Sequence, residues 1–165
     1  MKKLLFMLMM LAPMAASAQA KFGHVDANEI MQAMPEFTKA RTDLEALGKQ
    51  YEADLKSMQE EIQKKYEAYE KEQATLPANI KQRREQELME MQQKLQQSAQ
   101  DNQQALAKEQ SEKMQPIQKK LLDAINAVGQ AGGYVYIMQT GSALYISTTL
   151  STDVTAQVKA KLGLK

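Results

Sequence analysis

From residue 44 to residue 69 the apolar side chains fall at Leu44, Leu47, Tyr51, Leu55, Met58, Ile62, Tyr66 and Tyr69, with spacings of 3, 4, 4, 3, 4, 4 and 3. These spacings repeat every eleven residues, or about 3.67 residues per turn, close to the natural period of an α-helix. A second stretch keeps the same period: Leu95, Leu106, Ile117 and Val128 stand eleven apart, with Leu88, Met91, Ala99, Met114, Leu121 and Ile125 filling much of one face. Thr75-Leu76-Pro77-Ala78-Asn79 separates the two. The pattern predicts an antiparallel helical hairpin within residues 36–128, nearly straight or with a slight right-handed twist, breaking at a tip near 75–80.

The stripe is narrow. One or two apolar residues per turn cover a single partner helix, whereas a helix in a layered core needs a wider arc. Each arm therefore buries itself mainly against the other, and the Glu, Lys, Gln and Asp residues around the stripes face water. At Asn102 and Gln110 the stripe itself turns polar. At 1.5 Å per residue, the outgoing arm to Leu76 would be roughly 60 Å long. That is too long for a compact domain of this chain length, so the hairpin should project.

The first twenty residues read separately. Lys2 and Lys3 precede an apolar run from Leu4 to Ala16, and Ala18-Gln19-Ala20 supplies small residues before Lys21. This is the pattern of a cleaved secretory signal over 1–20, too short in its apolar part to span a bilayer. With no cysteine there is neither a lipid-attachment site nor a disulfide. The expected product is soluble and exported, which in a Gram-negative cell means periplasmic. The signal carries two lysines, so its removal takes the formal charge from +1 to −1. Residues 36–115 hold 13 basic against 16 acidic residues, and residues 116–165 hold 5 against 2. Neither imbalance suits a nucleic-acid partner.

Around the hairpin, residues 21–35 and 116–165 form a β-rich body. Phe22-Gly23-His24-Val25 reads as a strand, and Asp26 as the cap of a short helix that stops at Pro35, with Glu29 at capping-box spacing. Pro116 should kink the returning arm. Gly129 and Gly132-Gly133 should end it, through the left-handed conformation that glycine adopts freely. Tyr134–Met138 and Leu144–Ser147, joined by Gln139-Thr140-Gly141-Ser142, predict a β-hairpin. Val154, Val158 and Leu162 mark a short amphipathic helix capped by Asp153 or Thr155. Such a body has a thin core and open strand edges, and oligomerisation through its strands would repair both. The fold class is thus α+β, mostly α, with the hairpins projecting from a small assembled β body.

Chemistry is sparse. There is no cysteine nucleophile, and the sole histidine, His24, lies in a strand where packing is its ordinary role. Gly129, Gly132 and Gly133 lack the lysine and the preceding strand of a phosphate loop. The arm glutamates read as solvated helix faces. No catalytic residue, metal site or cofactor is expected, and any activity works without ATP.

Several of these segments together resemble the Skp/OmpH family of periplasmic chaperones. They are Phe22-Gly23-His24-Val25-Asp26, the charged hairpin, Met114-Gln115-Pro116-Ile117, Gly133-Tyr134-Val135-Tyr136, Ala143-Leu144-Tyr145-Ile146, and Asp153-Val154-Thr155 with Val158. The resemblance spans the mature chain. It implies a homotrimer whose body is built from strands of three chains, with a core of Phe22, Val25, Tyr134, Tyr136, Ile137, Tyr145 and Ile146. It also implies three arms enclosing unfolded outer-membrane proteins, with Met58, Tyr66, Tyr69, Met89 and Met91 giving the cavity weak, adaptable contacts. Well-known members are strongly basic and this chain is near neutral. Lys81, Arg83 and Arg84 at the tip are its obvious basic patch, suited to weak contact with anionic lipid or lipopolysaccharide. The alternative is a periplasmic coiled-coil adaptor or spacer that binds one folded envelope partner.

Overall fold

The computed structural model describes residues 20–164, so the expected signal segment lies outside the described residues except for Ala20. Strand β1 (Lys21–Val25) leads into α1 (Ala27–Ala33), α2 (Pro35–Glu72) and α3 (Ala78–Gly132). These are followed by β2 (Tyr134–Gln139), a single 3-10 turn (Thr140–Ser142), β3 (Ser151–Asp153) and α4 (Thr155–Lys161). Two compact units result: one joins the residues up to Ile30 with those from Leu121 onward, and the other is Met31–Lys120. No helix among the described residues is long and apolar enough to cross a membrane.

The hairpin unit follows its stripe. Met34 is held extended before Pro35, at φ −76° and ψ 123°, because the proline ring crowds a helical predecessor. Pro35 itself opens α2, where its missing N–H costs nothing. The 38 residues of α2 correspond to about 57 Å of helix. The helix stops at Glu72, and the Pro77 carbonyl accepts from the N–H groups of Ile80 and Lys81 at 3.0 and 2.9 Å to start α3. The break near Pro77 is where the sequence puts it, and α3 then runs through Pro116 as helix.

In the other unit β1 is the central strand of a three-stranded sheet ordered β2-β1-β3, and both neighbours run parallel to it. Val25, Ile30, Leu121, Ala124, Val154 and Val158 form its buried core, flanked by Tyr134, Ile137 and Leu162. Asp26 caps α1 by accepting the Glu29 N–H at 2.9 Å. The reciprocal half of a capping box is absent: the Asp26 N–H donates to the Thr155 hydroxyl at 2.9 Å, and Glu29 pairs with Lys159. Asp153 caps α4 by accepting the Thr155 N–H at 2.8 Å. Of the glycines expected to end α3, Gly133 takes the left-handed conformation, at φ +66°. Gly132 is required for a different reason, since a Cβ there would lie 2.3 Å from the Tyr134 ring.

The expected β-hairpin does not form. Gly141 is absent from the positive-φ glycines, so the chain lacks the reversal that a tight strand turn requires; it makes a 3-10 turn and moves on. Leu144–Ser147 is not a strand, and the partner on the far side of β1 is Ser151–Asp153.

Candidate functional site

In the hairpin unit, cross-arm ion pairs fix the register of the two helices. Glu36 pairs with Lys120, Asp43 with Lys113 at 3.3 Å, Lys65 with Glu87, and Glu72 with Arg84 at 2.8 Å. Glu36 and Glu72 are 36 residues apart on α2, and Arg84 and Lys120 are 36 apart on α3, so the helices pass residue for residue with no stutter. Each pair is partly exposed, worth about 0–1 kcal/mol, so together they set alignment more than strength. Their hydrogen bonds hold the Glu36 and Glu87 carboxyls below the usual range and push the Lys65 ammonium up.

The stripe is half-covered, as a two-helix assembly requires. Leu44, Leu47, Tyr51, Leu55, Met58 and Ile62 are all half-buried, while Leu88 and Ile117 on α3 are buried and Ala99 is exposed. Of the residues expected to line a cavity, Tyr66 and Met89 are exposed and Met58 and Met91 are half-buried. Tyr69 is only 8% exposed. Its hydroxyl donates to Glu85, and that hydrogen bond, reinforced by desolvation and by the carboxylate's charge, pushes its pKa up to about 12. Glu85 carried no sequence signal, being one of many glutamates along the arms. At the tip Arg84 is tied to Glu72, which leaves Lys81 and Arg83 without an ion pair among the described residues. Arg83, Arg84, Lys65, Tyr69 and Leu88 line a small cavity of about 310 Å³.

In the sheet unit, the seven residues expected to form a shared core divide into two sets. Val25, Tyr134 and Ile137 pack into the chain's own core. Phe22, Tyr136, Tyr145 and Ile146 line a second cavity of about 260 Å³, together with Met138 and Leu150. The Phe22 and Tyr136 rings stack at 4.9 Å. Within one chain this second set is poorly covered: Tyr145 is 82% and Leu144 fully exposed, and Val135, Tyr136, Met138 and Leu150 are also exposed. Val135, Met138, Leu144 and Leu150 were not named as core residues from the sequence, although all lie in or beside the same apolar runs. His24 is half-buried, its Nδ1 within 2.8 Å of the Ser151 hydroxyl and its backbone opposite Asp153. Hydrogen bonds from the Thr155 hydroxyl and N–H, aided by His24, hold the Asp153 carboxyl below its ordinary range.

A narrow two-helix hairpin inserted between β1 and β2 of a small parallel sheet is a specific combination, and the family model for OmpH-like outer membrane proteins matches residues 21–162. The chain belongs to the OmpH-like family. Among its relatives is the chaperone protein Skp of Yersinia enterocolitica, 27% identical over 151 residues that cover 90% of this chain and 92% of that one. Skp of Pectobacterium atrosepticum is 25% identical over 149 residues, covering 88% and 90%. The fold is shared with a solved OmpH-like chain from Caulobacter crescentus, at a TM-score of 0.75 and 14% identity, covering 88% of this chain and 85% of that one. OmpH-like membership accounts for the long exposed hairpin.

Proposed function

We propose that this OmpH-like protein is a periplasmic, ATP-independent holdase: it assembles as a homotrimer through its strands, and its arms enclose unfolded outer-membrane proteins and keep them from aggregating. The observation that carries this is its likeness to proteins named chaperone Skp over about nine-tenths of both chains. The geometry supports it. Arms that bury one narrow stripe against each other leave Tyr66, Met89 and the outer parts of Met58 and Met91 available, while Tyr69 is buried. Flexible methionines suit clients that share no sequence, and many marginal contacts hold by effective concentration while still permitting release. Exposed Tyr136, Tyr145, Val135 and Leu150 supply an apolar patch for neighbouring copies. Lys81 and Arg83 give the tip a weak hold on anionic lipid or lipopolysaccharide. We take the exported form to be the chain from Lys21 onward. We place the body at 21–35 and 116–165 and the arm at 36–115. No catalytic step is assigned.

The test is turbidity after dilution of two unrelated urea-unfolded outer-membrane β-barrels into buffer without nucleotide. Both should stay clear with the protein and cloud without it. If neither is protected, while one folded envelope protein is bound, the adaptor reading takes its place.

A further inference from the structure

Side chains alternate along a strand, so Phe22 and His24 of β1 face one side of the sheet while Gly23 and Val25 face the other, where Val25 joins the chain's own core. The strand register places His24, the only histidine of the chain, in the middle of a row, with Met138 opposite it on β2 and Asp153 on β3. The neighbouring row is Tyr136, Phe22 and Ser151. Phe22, His24, Tyr136, Met138, Tyr145 and Leu150 line one cavity of about 260 Å³. Tyr136, Met138, Tyr145 and Leu150 are exposed in the single chain, so this is the face that the proposed assembly would cover. Histidine is the side chain that ordinarily changes charge near neutral pH, and here it stands in the midst of apolar groups.

The groups around His24 offer little to a positive charge. On β3 the Ser151 hydroxyl lies 2.8 Å from Nδ1 and serves either form of the ring, accepting from a protonated nitrogen or donating to an unprotonated one. Asp153 is an exposed carboxylate, already bound by the N–H and hydroxyl of Thr155. On β2 and in the segment after it, Tyr136 and Tyr145 bring phenols, a group without charge near neutral pH. Asp26, two residues along from His24, is engaged at the start of α1, where it accepts the Glu29 N–H. Nε2 has no protein partner among the described residues. Water solvates a protonated ring in the single chain, whereas a neighbouring copy would exclude it, so the cost of that charge falls on the assembly alone. We propose that His24 makes the assembly acid-sensitive: with the ring neutral the apolar face closes against neighbouring copies, and protonation opens that contact and returns folded single chains. This rests on the strand-mediated homotrimer proposed above and adds its regulation. The sign follows from linkage. The covered face binds the proton less readily than the uncovered one, so association is complete above the histidine range and weakens as pH falls through it.

Sedimentation velocity of the chain from Lys21 onward, over a wide concentration range at about pH 7.5 and about pH 5, brackets the histidine range. Ordinary carboxylates stay ionised at the lower value, so the cross-arm ion pairs persist in both conditions. Association should weaken about tenfold per chain, or about a thousandfold for a trimer, the scale of one pH unit of proton linkage in each copy. Circular dichroism should show the same helix content throughout. His24→Leu and His24→Gln, one apolar and one polar but neither titrating, should associate equally at both pH values, and Ser151→Ala, which keeps the ring, should respond to acid as the parent does. An undiminished acid response in the two His24 variants would overturn the proposal by placing the titration elsewhere. So would association that tightens in acid, since Asp153 would then be answering the charge inside the assembly. A parent that is trimeric and equally tight at both pH values would remove the acid response and leave the homotrimer. A parent that is monomeric at both would remove the two together.

Discussion

Replacing Tyr145 with Asp separates what one chain needs from what an assembly needs. Tyr145 is 82% exposed in the single chain and sits outside any strand. For an isolated chain, such a surface change should alter stability by no more than about 0.5 kcal/mol. If Tyr145 is instead covered by a neighbouring copy, each copy loses the burial of a large side chain, about 1.5–3 kcal/mol. Three copies in a trimer then lose roughly 5–9 kcal/mol, a shift of about four to six decades in the association constant at 1.4 kcal/mol per decade. The introduced carboxylate, with no partner, adds to this. Sedimentation velocity over a wide concentration range reads the shift directly, with Met89→Asp as control, since Met89 is also exposed, at 58%, but lies on the arm. Tyr145→Asp should sediment as a folded monomer where the parent and Met89→Asp sediment as trimers. A Tyr145→Asp protein that stays trimeric at every concentration would refute the placing of Tyr145 in the interface.

Other consequences follow from single features of the two units. Changing Lys81, Arg83 and Arg84 together to Glu should leave the oligomer intact and weaken binding of anionic vesicles or clients at low salt; binding that ignores both salt and substitution would make the patch merely solvated. Gly48→Ala should stabilise the hairpin by up to about 1 kcal/mol, because nothing lies within 4 Å of the added Cβ; Gly132→Ala should destabilise, by about 1–3 kcal/mol, because its Cβ meets the Tyr134 ring, and thermal melts of the two variants check both signs. Tyr69 binds its proton more tightly folded than unfolded, so its contribution is complete below pH 10 and is lost as pH rises towards about 12. Ultraviolet titration should show a late tyrosine component extending towards about 12, which Glu85→Gln removes. Asp153 has the opposite sign: its depressed carboxyl stabilises above the ordinary aspartate range, and that contribution disappears as pH falls through its folded value. Asp153→Asn should flatten the acid limb of the stability profile, and an unchanged limb would count against the cap.

The helical half of the fold was legible because its information is periodic. Eleven-residue spacing, Pro35 at a helix start and Pro77 at the tip are each local and sufficient, and Asp26 and the Val154, Val158 and Leu162 triplet worked the same way. The sheet was less legible because pairing is not local. Ser151–Asp153 is three residues long and polar, with no alternation to mark it as a strand. Leu144–Ser147 has every mark of a strand and is none within the chain. Apolar and β-branched content says that a segment wants cover, without saying whether its own chain provides it. Gly141 illustrates the limit, since the residue that permits a left-handed turn does not compel one. At the candidate surfaces, the methionines and tip lysine and arginines could be named from type and position. The hydrogen bond of Tyr69 to Glu85 and the capture of Arg84 by Glu72 depend on which helix faces meet, and only the register of the hairpin decides that.

The most direct test of the chaperone proposal is light-scattering mass of the protein from Lys21 onward, alone and after a urea-unfolded outer-membrane β-barrel is diluted into it. Expected are the mass of three chains alone and, with client, a soluble complex of one trimer and one client. A monomer that leaves the client to precipitate would contradict it.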